Sequence, residues 1–259
     1  MNMINDRVMI GTSGFSYRDW LGNFYPQFCP QADFLKFYSS HFRTVEIDAT
    51  FYRIPKVETV QKWAKTTPDN FVFAAKFPRA VTHEGDDETR LESVRAFIEV
   101  MKHLDSKLGP LLLQFPYSFK PPQRDLLLRI LDALPSSGLF AVELRNRKWL
   151  DQKDLLDIFA DRQIALCLID HPWMPRLKVK TADFLYVRFL GDRRKIENDF
   201  SYVRFDRNEE LSWWRELIAE YARTGVNCYV YFNNHFSGHA PTTADKLAEL
   251  IKTEETSNQ

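Results

Sequence analysis

Cysteine is scarce in this sequence, and the little there is does not pair. Three residues in 259, Cys29 in a loop-like stretch and Cys167 and Cys228 inside apolar runs, lack both the even count of a disulfide framework and the close spacing of a zinc site. Cys167 and Cys228 read as small buried hydrophobes, and a reducing compartment fits. An excess of either charge is lacking too. Lys plus Arg and Asp plus Glu number 35 each, so the global field draws neither nucleic acid nor a basic partner, and any such preference has to be local. No apolar run approaches a membrane-spanning length, and the opening MNMINDRVMIG holds no signal-peptide core; a cytoplasmic protein without membrane contact is expected. HExxH, HxH and clustered Cys/His motifs are missing. Gly11-Thr12-Ser13-Gly14 fits neither GxSxG nor GxGxxG and reads as a tight turn.

What is present is apolar sequence in short, regular pieces. Hydrophobic residues make up 44% of the chain, enough for one large α/β domain over 1–252 with a polar, disordered-looking tail at 253–259. The stretch that organises the rest is Thr44–Pro55, TVEIDATFYRIP. Val45 and Ile47 alternate with Glu46 and Asp48, and a loop holding Phe51 and Tyr52 follows. The same grammar, an apolar run closed by one polar residue, recurs along the chain. Strands are expected at 7–12, 44–50, 71–77, 111–115, 139–144, 164–169, 184–190 and 226–232. Helices are expected at 32–40, 56–65, 88–108 (with Gly109 just past its end), 121–134 and 155–160. Asp206 with Glu209 resembles a capping box for the next helix, and Thr242 with Asp245 the start of the last one. Between Asp170 and the seventh strand the chain is too short and too rich in proline for a crossover helix.

Eight strands, nearly all separated by helices, predict a single (β/α)8 TIM-type barrel that is irregular between strands six and seven. An open doubly wound sheet is the runner-up. Strand parity favours the barrel: if the strand-end polar groups face inward, so do Ala74 before Lys76, Leu112 before Gln114, Ala141 before Glu143, and Leu166 and Leu168 before Asp170. A packed interior with chemistry only at the carboxyl rim wants that pattern.

Several of these segments also carry a family likeness. GTSGFSYRDW (11–20), VEIDATFYRIP (45–55), FAAKFPRAVTH (73–83), LLLQFP (111–116), AVELRN (141–146) and YFNNH (231–235) together resemble the YecE-like family, domain of unknown function 72. The resemblance spans nearly the whole chain and implies a TIM-type barrel of unassigned activity. Phe15 stands where that family often has Trp.

The inward strand ends form the candidate site. Glu46, Glu143, Asp170 and Lys76 are the expected catalytic groups, and Gln114, Arg145, Arg188, Asn234, Tyr52 and Ser13 the substrate-binding ones. Paired opposite charges stabilise each other's ionised forms, like pairs push pKa values apart, and arginine can fork onto a carboxylate or phosphate. The expected partner is a small anionic or phosphorylated substrate handled by carboxylate acid/base chemistry in a hydrolase, isomerase or lyase, with no cofactor. The plainer reading is that these charges only compensate one another. A divalent metal on Glu46, Glu143, Asp170 and His235, for phosphoester hydrolysis or sugar isomerisation, is one alternative. A phosphate- or nucleic-acid-binding module is another: residues 176–195 carry seven basic side chains against Asp183 and Asp192, and Asn233–Gly238 leads into a helix amino terminus. Aromatic residues beside the rim (Phe15, Tyr17, Trp20, Trp149, Trp173) suit loop packing better than base stacking.

Overall fold

Runs of apolar residues closed by a polar one become parallel strands in the computed structural model, which describes residues 6–257. The strands are β1 (Val8–Thr12), β2 (Thr44–Ile47), β3 (Val72–Lys76), β4 (Leu108–Phe115), β5 (Phe140–Leu144), β6 (Ile164–Leu166), β7 (Leu168–Asp170), β8 (Phe184–Phe189) and β9 (Asn227–Phe232). Most are buried along their whole length, as the strands of a parallel sheet covered on both faces are. Between them lie α1 (Phe34–His41), α2 (Val57–Thr66), α3 (Arg79–Thr82), α4 (Asp87–Met101), α5 (Arg124–Asp132), α6 (Leu155–Asp161), α7 (Asn208–Arg223), α8 (Asn234–Ser237) and α9 (Ala240–Ser257).

The chain divides into two compact units. The first takes residues up to Val45, Leu168–Val179 and everything from Asp183 onward. Its sheet has the order β1-β9-β8-β7, parallel throughout. The loop after β1 is packed by its own rings: Trp20 and Tyr25 are buried, and Tyr25 stacks on Phe34 at 4.1 Å. Gly11 is required in β1, because a Cβ there would lie 2.1 Å from the Thr44 carbonyl oxygen.

The second unit takes Glu46–Cys167 and Lys180–Ala182. Strands run in the order β2-β3-β4-β5-β6, and the β3/β4, β4/β5 and β5/β6 pairs are parallel. The short 180–182 piece finishes the β6 edge. The Thr181 hydroxyl accepts from Leu166 N and donates to Ile164 O, both at 2.7 Å, so polar groups that a strand edge would leave open are satisfied.

Four expectations change in detail. The sixth strand is two three-residue strands meeting at Cys167: the Cys167 N–H goes to Val142 O at 2.8 Å, whereas Leu168–Asp170 pair with Val187–Phe189. Gly109 sits inside β4 rather than past a helix end; its role is close approach, since a Cβ would lie 2.5 Å from Val72 Cγ1. Asp206 makes no capping box. It accepts instead from Asn208 N at 3.0 Å, at the first residue of α7. Helix α9 begins at Ala240, ahead of Thr242, and continues past Ile251 to Ser257.

Candidate functional site

In the second unit the strand ends gather as the parity argument expects. Lys76 pairs in register with Leu112, and Gln114 with Glu143. Residues two apart on a strand share a face, so Lys76, Gln114 and Glu143 project from the same face at the carboxyl ends of β3, β4 and β5. All three are buried, as is Glu46 at the end of β2. Arg145, two residues beyond Glu143, returns to it: Nε donates to Oε1 at 2.5 Å. Gln114 Nε2 donates to Phe115 O at 2.6 Å. Lys76 Nζ stands 3.9 Å over the Phe51 ring, a cation–π contact. Thr50 ties this loop to the strand end by donating to Lys76 O at 2.7 Å. Tyr52 lies beside Phe51 but is 75% exposed.

One residue that the sequence reading did not place in the site lies with them. His83, just after α3, lies edge-on to Phe51 at 4.9 Å and shares a 2.7 Å hydrogen bond with the Thr82 hydroxyl. Its pKa is pushed down to about 4, first by burial and then by Lys76, Arg145 and Arg79. A lone histidine in FPRAVTH has nothing to single it out, and only the fold brings it among three cations. The three cations add to the effect of burial, and Glu84 opposes them.

The first unit treats its strand ends differently. Asp170 pairs in register with Phe189, and Arg188 with Ile169, so Asp170 and Arg188 project from opposite faces of the sheet. The expectation that both face one way is corrected there. The Asp170 carboxylate Oδ2 accepts from Trp214 Nε1 on α7 and from Arg176 Nε, each at 2.7 Å. Asn234 is also engaged: Oδ1 accepts from Trp20 Nε1 at 3.2 Å and from Ala240 N at 3.0 Å. Ser13 is buried, and its N–H donates to Phe232 O at 2.8 Å. Trp149, in the second unit, is buried like Trp20, while Trp173 is half exposed.

The basic 176–195 stretch is largely bound into the structure. Arg176 holds Asp170, Arg176 and Lys178 lie over the Trp213 ring, Lys180 Nζ donates to Ala182 O, and Arg194 pairs with Asp192 while lying 4.9 Å over Trp173. The α9 amino terminus is closed from within. Ala240 N donates to Asn234, residue 241 is a proline without an N–H, Thr242 N donates to His239 Nδ1, and Thr243 N to His239 O. Donors expected for a phosphate are therefore already taken. Among the described residues no group of three or more His, Cys, Asp or Glu side chains is placed to hold a metal ion, so the divalent-metal alternative finds no ligand set there. No helix among them is long and apolar enough to cross a membrane.

Known proteins give the same family that the motifs suggested. The family model described as "Protein of unknown function DUF72" matches residues 9–259. YecE of Escherichia coli K12, a UPF0759 protein, is 26% identical over 242 residues, covering 84% of this chain and 85% of the relative. UPF0759 protein YunF of Bacillus subtilis is 28% identical over 274 residues, with 95% of each chain covered. The crystal structure of a DUF72 family protein from Thermotoga maritima superposes with a TM-score of 0.79 at 29% identity, over 95% of this chain and 99% of that one. With its motifs, its α/β fold of parallel sheets and a family match over almost its full length, this chain belongs to the YecE-like DUF72 family.

Proposed function

We propose that the chain is an enzyme that binds a small anionic substrate, phosphorylated or carboxylated, at the carboxyl ends of β2–β5 and transfers a proton with a buried carboxylate. The observation that carries this reading is the set of buried Lys76, Gln114 and Glu143 on one sheet face, with the pKa of His83 held low beside them. Lys76 and Arg145 hold the substrate's charge, Glu143 or Glu46 moves the proton, and Gln114 orients the reacting group. Tyr52 stands exposed at the edge of the set, where it can cover a ligand. In the first unit, Arg188, buried at a strand end, is a further candidate for holding the substrate's charge. The (β/α)8 barrel is part of the same proposal, supported by the parallel order of each sheet and by the alternation of strand and helix.

The test starts with thermal-shift screening of phosphorylated and carboxylated metabolites, followed by turnover assays on those that stabilise the protein. Glu143→Gln removes the base while keeping a side chain of the same shape. It is expected to bind the stabilising compound and to lower turnover about 10²- to 10⁴-fold, the usual contribution of a positioned acid or base. Turnover equal to that of the natural protein would strip Glu143 of its role.

A further inference from the structure

In the first unit, an open cleft of about 460 Å3 lies at the loops after β8 and β9, lined by Arg193, Arg194, Glu197, Phe200 and His235. None of these belongs to the Lys76–Glu143 set.

The cleft is built rather than incidental. Gly191, at φ +66°, allows the two loops to meet: a Cβ there would lie 2.0 Å from the His235 carbonyl oxygen. His235 Nδ1 donates to Ile196 O at 2.5 Å, and Ile196 is fully buried. A carbonyl can only accept, so the ring proton sits on Nδ1 and the neutral ring keeps its lone pair on Nε2. Burial, together with Arg193, lowers the pKa of this ring, which preserves the acceptor at neutral pH. Arg194 is set in place from two sides, its guanidinium on Asp192 Oδ1 and Oδ2 at 3.1 and 3.0 Å and lying over the Trp173 ring. Glu197 adds a carboxylate. Phe200 stands edge-on to His235 at 5.1 Å, an apolar surface in an otherwise polar cleft.

Two guanidinium groups answer an anion, two acceptors answer hydroxyl hydrogens, and one aromatic ring answers a face of C–H groups. A bare phosphate would leave the acceptors and the ring without a partner, and a neutral sugar would leave the arginines without one. We propose that the cleft binds a phosphorylated sugar, with the phosphate on Arg193 and Arg194, hydroxyls donating to His235 Nε2 and Glu197, and the sugar's C–H face on Phe200.

Isothermal titration of the full-length chain with ribose 5-phosphate, glucose 6-phosphate, ribose and inorganic phosphate tests this. At least one sugar phosphate is expected to bind tenfold or more tightly than either ribose or phosphate. Arg193→Ala, at an exposed position, should weaken that binding at least tenfold. His235→Asn keeps a donor for Ile196 but loses the Nε2 acceptor, and should weaken the sugar phosphate several-fold while leaving inorganic phosphate unchanged. Equal affinity for phosphate and sugar phosphates would make the cleft a simple anion site and overturn the proposal. So would no binding, an unaffected Arg193→Ala, or adenosine 5′-monophosphate binding more tightly than any sugar phosphate, which would make the base the recognised part.

Discussion

The two sheets follow the same sequence grammar and end in different chemistry. In β3, β4 and β5, polar residues at the strand ends stay together on one face, and their partners are one another or the adjoining loop: Arg145 on Glu143, Lys76 over Phe51. In β7 and at the end of β9 the corresponding residues are gripped by large side chains from neighbouring elements. Trp214 of α7 donates to Asp170, and Trp20 donates to Asn234. A buried indole N–H needs an acceptor, and a buried carboxylate or amide needs donors. Where a tryptophan is at hand, a strand-end polar group becomes part of the packing; where none is, it remains a candidate for chemistry. The second unit thus keeps its candidate groups together, whereas Asp170 and Asn234 of the first are taken up in packing.

Breaking that contrast gives opposite signatures on the two sides. The largest effect expected is the 10²- to 10⁴-fold loss of turnover in Glu143→Gln, with the melting temperature nearly kept. Asp170→Ala should do the reverse. It removes the acceptor of both Trp214 and Arg176 and should lower unfolding free energy by about 3 kcal/mol in urea titrations, through an orphaned buried N–H and an unpaired guanidinium. A protein that remains as stable as before would mean that Asp170 is not structural, and the contrast between the sheets would fail.

A third effect is read by acid. His239 is buried in the first unit, and burial pushes its pKa down to about 4. In the unfolded chain a histidine takes its proton near pH 6.5. Between those values the unfolded state binds the proton and the folded state does not, so stability is complete above about pH 6.5 and falls as pH drops toward 4. The loss attributable to His239 is up to about 3 kcal/mol at the acid end. His83 shifts in the same direction, whereas His41, whose pKa Asp245 raises, works against it. Urea titrations at pH 7 and pH 4.5 should show a smaller difference in His239→Gln than in the natural chain; an equal difference would remove His239 from the account.

The same division separates what residues alone make legible from what they do not. Every expected strand is found, because an apolar run ended by Pro, Gly or a charge is a local signal. The shared face of Lys76, Gln114 and Glu143 was legible from parity, since β3, β4 and β5 run without interruption near their ends. Parity failed at Asp170. The break at Cys167 restarts pairing on a new strand, and β6 and β7 are buried on both faces, so nothing in the residue pattern says which face turns toward a helix. The acceptor role of Asp170 needed Trp214, 44 residues away. His83 was out of reach because Lys76 and Arg145 come beside it only in the fold, whereas both loops of the cleft at His235 stood out in the sequence and only their meeting did not.

The smallest expected effect sharpens the contrast inside one unit. The second unit buries two lysines, Lys76 and Lys107. Lys107 Nζ donates to Ala64 O and Thr67 O, both at 2.7 Å, closing the carboxyl end of α2 where helix carbonyls run out of partners. It sits next to the negative end of a helix dipole, far along the chain from any strand-end carboxylate. Lys107→Met fills a similar volume, leaves those carbonyls without their donor, and should cost about 2 kcal/mol of stability with substrate binding unchanged. Lys76→Met should instead weaken anion binding and leave unfolding less affected, because its ammonium faces the Phe51 ring at the strand end. Urea titrations and ligand titrations on the pair of variants check this. Parallel losses in both measurements would show that burial of a lysine, and not its place at a strand end, decides what it does.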